Sequence, residues 1–382
     1  MADGDVAPPV EPAPVLLSSC LNPLGGVGAA TVIMRSEFNL YRLIKMAVGH
    51  GLPRPVKLAG LAMLFRLRRR TAGVFLFPVL SCNLRCRMCY FSDPVKRASM
   101  KGLMSDSQIN ECAKAIFPYA LKLQIGCGAE PILYPSLEEI ITLGRRYGVP
   151  YISLTSNGQL IGSGKCPLEP LVRAGLNELT LSLHGTTREV YENLMPGADF
   201  DTFGRLTTEI ARVKRLFPDF RLRVNYTVNS LNVHDLKGDR FWKLWHQGGM
   251  PDIVQLRPVQ KIGESDWQDF DPQPLIDNFD ESIGAIVAEC ARRGITCIAP
   301  TRDQIEAVAG DQDETAALIE ELTYVYVSPE SCYREDFNPT QETYAAYHRR
   351  HHTVRRLLRT AFRPKLSGLH KNVSKKLNYN IK

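Results

Sequence analysis

The chain has 382 residues, 44% of them hydrophobic and 23% charged, with a formal net charge of +7. That is an ordinary globular composition, long enough for one barrel-sized domain of roughly 250 residues with appendages. No apolar run reaches the roughly 20 residues of a membrane-spanning helix. Residues 1–14 are acidic and rich in Pro and Ala, without the basic-then-apolar order of a secretory signal.

A flexible leader is therefore expected over 1–33. Residues 34–71 follow with nine Lys/Arg against Glu37 alone. Within them, 38–48 and 56–70 have the pattern of basic amphipathic helices. From 72 to 302, strand-like and helix-like segments alternate. Short apolar, β-branched runs predict buried parallel strands at 74–80, 121–127, 151–155, 178–183, 222–228 and 253–259. Helical periodicity predicts helices at 105–120, 137–147, 168–174, 203–216, 235–246 and 276–293. Ser105 is placed as an N-cap, Ser136 opens a helix with Glu138 and Glu139 in its first turn, and Gly148 and Gly294 stand at helix ends. Six strand–helix repeats imply a parallel α/β sheet, either an open doubly wound sheet or a complete or partial barrel. In each, chemistry gathers at the C-terminal ends of the strands. Beyond 302 the pattern changes. One further strand is readable over 323–328, and a C-terminal extension over 303–382 ends in a tail with eleven Lys/Arg and no acid from residue 343 onward.

The ten cysteines do not read as a disulfide framework, because three of them fall within eight positions of a long chain without a secretory signal. A reducing cytoplasmic setting fits better. In Phe77-Pro-Val-Leu-Ser-Cys82-Asn-Leu-Arg-Cys86-Arg-Met-Cys89-Tyr90, three thiols follow the first predicted strand on one loop. Three thiolates suit three irons of a cubane and leave the fourth open. Arg85 and Arg87 would ease the gathering of negative charge. Structural zinc is the alternative, but it takes four ligands, commonly as two short-spaced pairs, and no second pair is present. Cys290 and Cys297 straddle a predicted helix and strand. Cys112, Cys127, Cys166, Cys290 and Cys297 read as small buried hydrophobes.

The loop Cys82-x3-Cys86-x2-Cys89 resembles the signature of the radical S-adenosylmethionine (SAM) superfamily. Gly126-Cys-Gly128-Ala129-Glu130-Pro131 is similar to the family's Gly-Gly-Glu-Pro segment, Thr155-Ser-Asn157-Gly158 to its Thr-Asn-Gly turn, and Ser182-Leu-His184-Gly185 to its Ser-Leu-Asp-Gly segment. These stand in order at successive strand ends, over about residues 72–260. The resemblance implies a partial (βα)6 TIM-type barrel with N- and C-terminal extensions. It implies a [4Fe–4S] cluster on Cys82, Cys86 and Cys89, and SAM held by Gly128, Ala129, Glu130, Asn157, Ser182, Asn232 and Arg257. It also implies reductive cleavage of SAM to a radical that takes hydrogen from substrate. The chain departs from the pattern at His184, where Asp is usual, at Met88, where an aromatic often stands, and at Asn193-Leu-Met-Pro196, where many relatives carry an Arg.

Cys332 follows the last readable strand, and the resemblance suggests that it returns a hydrogen atom to a substrate radical. An idle cysteine is the competing reading. With no other cysteine beyond 297, a second cluster is not expected. The basic flanks can pack on the barrel with their charges solvated, or lie on an anionic membrane surface at the inner face. Nucleic-acid binding ranks last, because the Arg/Leu pattern lacks interleaved aromatics.

The expected function is hydrogen abstraction from a small carbohydrate, lipid-linked or phosphate-bearing molecule, giving epimerisation, dehydrogenation or rearrangement. An external electron donor such as flavodoxin or ferredoxin would supply the electron. Peptide maturation is the alternative within the class. A non-catalytic metal protein docking on membranes or nucleic acid is the alternative outside it.

Overall fold

Alternating apolar positions drive eight short strands into one parallel sheet. The computed structural model describes residues 52–126, 128–260, 265–306 and 314–363. The predicted leader, the first basic stretch at 38–48, Cys20, Cys127 and the tail from 364 lie outside the described residues.

The strands are β1 (Ala72–Leu76), β2 (Ala120–Ile125), β3 (Ile152–Ser156), β4 (Glu178–Ser182), β5 (Arg221–Val228), β6 (Ile253–Pro258), β7 (Thr296–Ile298) and β8 (Tyr324–Val327). Their order is β7-β6-β5-β4-β3-β2-β1-β8, with every neighbouring pair parallel. The sheet is therefore a partial barrel, open between β7 and β8. The six expected repeats supply β1–β6 in sequence. β7 is an addition at one edge, and β8 returns from beyond residue 302 to pair with β1.

The pleat sorts the residues of each strand. Val74, Leu76, Leu123, Ile125, Ile152, Leu154, Leu179, Leu181, Leu222, Val224, Val254 and Leu256 are all buried in the main core. They pack under the helices α2 (Asp106–Ile116), α3 (Leu137–Arg146), α4 (Leu168–Ala174), α5 (Arg188–Leu194), α6 (Phe200–Leu216) and α7 (Ala285–Arg293), while α1 (Arg54–Arg66) precedes β1. Register then places Phe75, Gln124, Ser153, Glu178 and Arg221 together on the opposite, luminal face. A second small core joins α1 to α8 (Glu314–Thr323) and α10 (Thr353–Phe362) through Leu58, Leu61, Ala62, Ile319, Leu322, Leu357 and Ala361; α9 (Tyr344–Arg350) precedes α10.

Local signals set the boundaries. Ser105 and Gln108 form a reciprocal capping box at the start of α2, whereas Ser136 makes no side-chain cap bond at α3. Gly148 and Gly294 adopt the left-handed conformation that closes α3 and α7. β1 ends at Leu76, earlier than the periodicity predicts, because Pro78 has no N–H to continue the ladder. The helix expected at 235–246 is two short pieces, His234–Leu236 and Arg240–Lys243, separated by Gly238 at φ +69°.

Candidate active site

The loop leaving β1 carries Cys82, Cys86 and Cys89, all part-buried. Backbone bonds to two other segments fix its course. Arg85 N–H donates to Pro196 O at 2.9 Å and Arg87 N–H to Leu194 O at 3.0 Å, beyond the end of α5. Glu130 N–H reaches back from the β2 loop to Ser81 O at 2.9 Å. Inside the loop, Leu84 N–H points at Cys82 Sγ at 3.4 Å, and Ser92 Oγ donates to Cys89 O at 2.7 Å. The Arg85 guanidinium is tied to the carbonyls of Cys82 and Leu84, both at 2.7 Å.

Burial pushes the Cys82 thiol up to about 12. Cys86 is raised well above the usual thiol range by burial and then by the closeness of Cys89 and Cys82. Three thiols so placed hold their protons until a cation draws them off. Among the described residues, no three His, Cys, Asp or Glu side chains gather as a single metal ion requires. A cubane places each thiolate on a separate iron and suits this donor set.

Glu130 sits at the end of the β2 loop, buried, and its carboxylate stitches two loops together. Oε1 accepts from Ser156 Oγ at 2.9 Å and from Ile132 N–H at 3.2 Å; Oε2 accepts from Asn157 N–H at 2.9 Å. Burial raises its pKa to about 7 against the pull of these bonds. A carboxylate offers about four acceptor sites, so one on Oε2 is left for a ligand donor. Asn157, in the turn after β3, donates through Nδ2 to Asn83 Oδ1 at 2.9 Å and approaches Cys82 Sγ at 4.0 Å. Tyr90 Oη donates to Gly128 O. The cysteine loop, Gly128, Glu130 and Asn157 thus form one bonded unit at adjacent strand ends. Gly126 begins this turn at φ +76°, where a Cβ would lie 2.6 Å from Pro131 and 2.9 Å from Thr155 O.

Ser182 closes β4 on the luminal face, in register with Asn225 on β5. Asn225 Oδ1 is buried and has no hydrogen-bond partner among the described residues. Sequence reading missed this acceptor, although polar residues at alternate positions along β5 mark its face. Arg257 faces the lumen on β6 opposite Thr227.

Two of the expected residues have partners within the fold. Asn232, expected to touch SAM, donates through Nδ2 to His184 O at 2.9 Å and Thr227 O at 2.8 Å and accepts from Asn229 N–H at 2.7 Å. Both of its amide protons go to backbone carbonyls, so it braces the β5 loop against the end of β4. Cys332, expected to face a substrate radical, lies with its sulfur 3.4 Å from that of Cys112 on α2. Its thiol is raised by that contact and by burial. It packs on the helical side of the sheet and is not brought into the bonded unit. His184, the departure at the fourth strand, accepts from Thr227 N–H through Nδ1 at 3.2 Å, and burial lowers its pKa to about 4. A neutral imidazole therefore supplies the acceptor at this position.

Residues 77–214 match the family model described as the radical SAM superfamily. Among curated proteins, a probable GTP 3',8-cyclase of Metallosphaera sedula is 30% identical over 183 residues, covering 47% of this chain and 53% of that protein. One from Saccharolobus solfataricus is 26% identical over 207 residues, covering 53% and 62%. The chain thus spans about half the length of the curated relatives it matches. Among solved structures, Streptococcus suis SuiB bound to S-adenosylmethionine superposes with a TM-score of 0.50 at 13% identity, over 79% of this chain and 70% of that one. That likeness is one of fold. The matched segment holds the cysteine loop, Glu130, Asn157 and Ser182 on β1–β4, and over it the chain is similar to the radical SAM superfamily, whose members use a [4Fe–4S] cluster and SAM.

Proposed function

We propose that this chain is an enzyme that holds a [4Fe–4S] cluster on Cys82, Cys86 and Cys89, binds SAM beside it, and abstracts hydrogen from a small polar substrate in the lumen. The observation that carries this reading is the bonded unit of the three-cysteine loop, Glu130 and Asn157. When bound, cluster and SAM supply one-electron cleavage of a C–S bond and a radical able to take hydrogen from carbon. The residues of the chain supply placement. Glu130 Oε2 has an acceptor site for an ammonium group, Gly128 and Ala129 bring backbone close to it, and Ser182 and Asn225 offer polar atoms one strand further on. Asn157 ties SAM's side of the site to Cys82, and Arg257 faces the same lumen. Asn232 and His184 keep the β4 and β5 ends in place.

The luminal wall favours a hydrophilic, anion-bearing substrate over a hydrophobic one. Arg257 stands on it beside Gln255 and opposite Thr227, while Lys122 and Arg223 answer the charge of buried Glu178. The curated relatives are named for GTP, a phosphate-bearing molecule. Epimerisation, dehydrogenation and rearrangement all begin with the same hydrogen abstraction. The electron would come from a flavodoxin- or ferredoxin-like donor. No described helix is long and apolar enough to cross a membrane. The test is anaerobic reconstitution followed by reduction with SAM present: release of 5′-deoxyadenosine supports the reading, and stoichiometric zinc without SAM cleavage overturns it.

A further inference from the structure

Helix α1 is apolar on two opposite faces, and the described residues cover only one of them. Leu58, Leu61 and Ala62 pack into the second core. On the other side, Val56, Gly60, Met63 and Leu67 follow one another at helical spacing, and the three side chains are 53%, 60% and 58% exposed. A Cβ built on Gly60 would meet nothing within 4 Å, so among the described residues this face is open. An apolar stripe of this kind normally turns inward. The neighbouring helix α10 behaves alike: Leu357 and Ala361 are buried, while Leu358 and Phe362, one turn apart, are 40% and 75% exposed.

The two helices that carry these residues bear charge of one sign. Neither α1 nor α10 contains an Asp or Glu, and Arg66, Arg68, Arg69, Arg355, Arg359 and Arg363 lie on or just beyond them. On α10, Arg356 is neutralised by Glu321 of α8, and on α9 Arg350 pairs with Asp336 and Glu342. Arg70 is likewise occupied, donating to the carbonyls of Phe117, Ala120 and Tyr147 at 2.9–3.1 Å. It anchors the end of α1 at the N-terminal edge of the sheet, whereas the cysteine loop leaves the C-terminal end of β1.

We propose that the paired helices α1 and α10 form a docking surface for an anionic lipid bilayer. Exposed Val56, Met63, Leu67 and Phe362 enter the interface, and the flanking arginines meet the headgroups. Charge complementarity selects this occupant: the stripe alone would suit a second copy of the chain, but two copies would bring like-charged rims together. Because the surface is built at the N-terminal edge of β1, docking leaves the strand ends that carry the site uncovered. The surface works independently of the catalytic reading.

The test is flotation of the full reconstituted chain with vesicles of phosphatidylcholine alone or mixed with phosphatidylglycerol. Binding to the mixed vesicles only, weakened by salt, is expected. Arg355→Gln and Arg359→Gln should each lower the partition constant about fivefold, near 1 kcal/mol per basic residue. Met63→Asp should abolish flotation, and Gly60→Leu should strengthen it without a clash. All four variants should keep the parent's circular dichroism and SAM cleavage, since none touches the site. No flotation, or equal flotation on both vesicle types, overturns the proposal. So does concentration-dependent dimerisation removed by Met63→Asp, or binding to single-stranded nucleic acid that the lipid does not compete away.

Discussion

Truncating Glu178 to Ala tests how charge is held inside the lumen. The Glu178 carboxylate is fully buried. It accepts from Arg223 Nε at 2.9 Å and Thr180 Oγ1 at 3.0 Å on Oε1, and from Arg223 Nη2 at 3.0 Å and Tyr151 Oη at 2.6 Å on Oε2. These fill all of the roughly four acceptor sites of a carboxylate. Burial alone would raise its pKa, but Lys122, Arg223 and Tyr151 outweigh it and hold the group at about 2. Against the ordinary value of 4.5, that depression corresponds to about 3 kcal/mol of stability at neutral pH. Because the folded pKa lies below the unfolded one, the contribution is fully present above about pH 4.5 and is lost as pH falls towards 2. Glu178→Ala also leaves Arg223, only 17% exposed, without its counter-charge. A loss of about 3–5 kcal/mol is expected, a large share of the roughly 5–15 kcal/mol that holds a domain together. Tyr151→Phe removes one bond to a charged acceptor and should cost about 1.5–3 kcal/mol. Urea unfolding followed by tryptophan fluorescence measures both. Glu178→Leu combined with Arg223→Met should recover most of the loss, because no buried charge is then left unpaired. A Glu178→Ala variant within about 1 kcal/mol of the parent, below the range for breaking a buried pair, would refute the reasoning.

Three further outcomes follow from the same geometry. Gly126→Ala should lower stability by more than about 1 kcal/mol, since its Cβ would press on Pro131 and on a backbone oxygen; an Ala variant as stable as the parent in urea contradicts this. Asn157→Ala keeps the backbone bond to Glu130 but loses the link to Asn83, so iron content should hold while the KM for SAM rises; loss of iron along with it would assign Asn157 to the cluster loop itself. Burial lowers His184 to about 4 and His348 to about 3, so the unfolded chain binds more protons than the native one between about pH 6.5 and those values, and stability should fall on acidification by on the order of 3 kcal/mol per histidine. His348→Gln should flatten part of that slope in urea midpoints measured from pH 7 to 4, and an unchanged slope would contradict it.

The site was legible where its information is local. Three cysteines within eight positions, and short segments such as Thr155-Ser-Asn157-Gly158, carry spacing that any fold must respect. The repeats for β1–β6 were legible because helix-facing positions are uniformly apolar. Less was read from the luminal positions, although Glu178, Thr180 and Ser182 alternate with Leu179 and Leu181. These strands read as apolar runs, and the polar half of the alternation is what builds the lumen. Long-range partners were out of reach. The contact of Cys332 with Cys112 joins residues 220 positions apart, and the backbone bonds of the Asn232 amide depend on how the β4 and β5 ends meet. Glycines decide the remaining differences in helix extent: Gly238 at positive φ interrupts a segment whose periodicity alone is helical.

The most direct test of the account is iron and SAM chemistry on the full chain. After anaerobic reconstitution it should be brown, bind about four irons, and release 5′-deoxyadenosine from SAM when reduced. Cys86→Ala should abolish both iron binding and cleavage, and Glu130→Gln should keep iron while impairing cleavage. A colourless protein with one zinc per chain, inert towards SAM, would contradict the account.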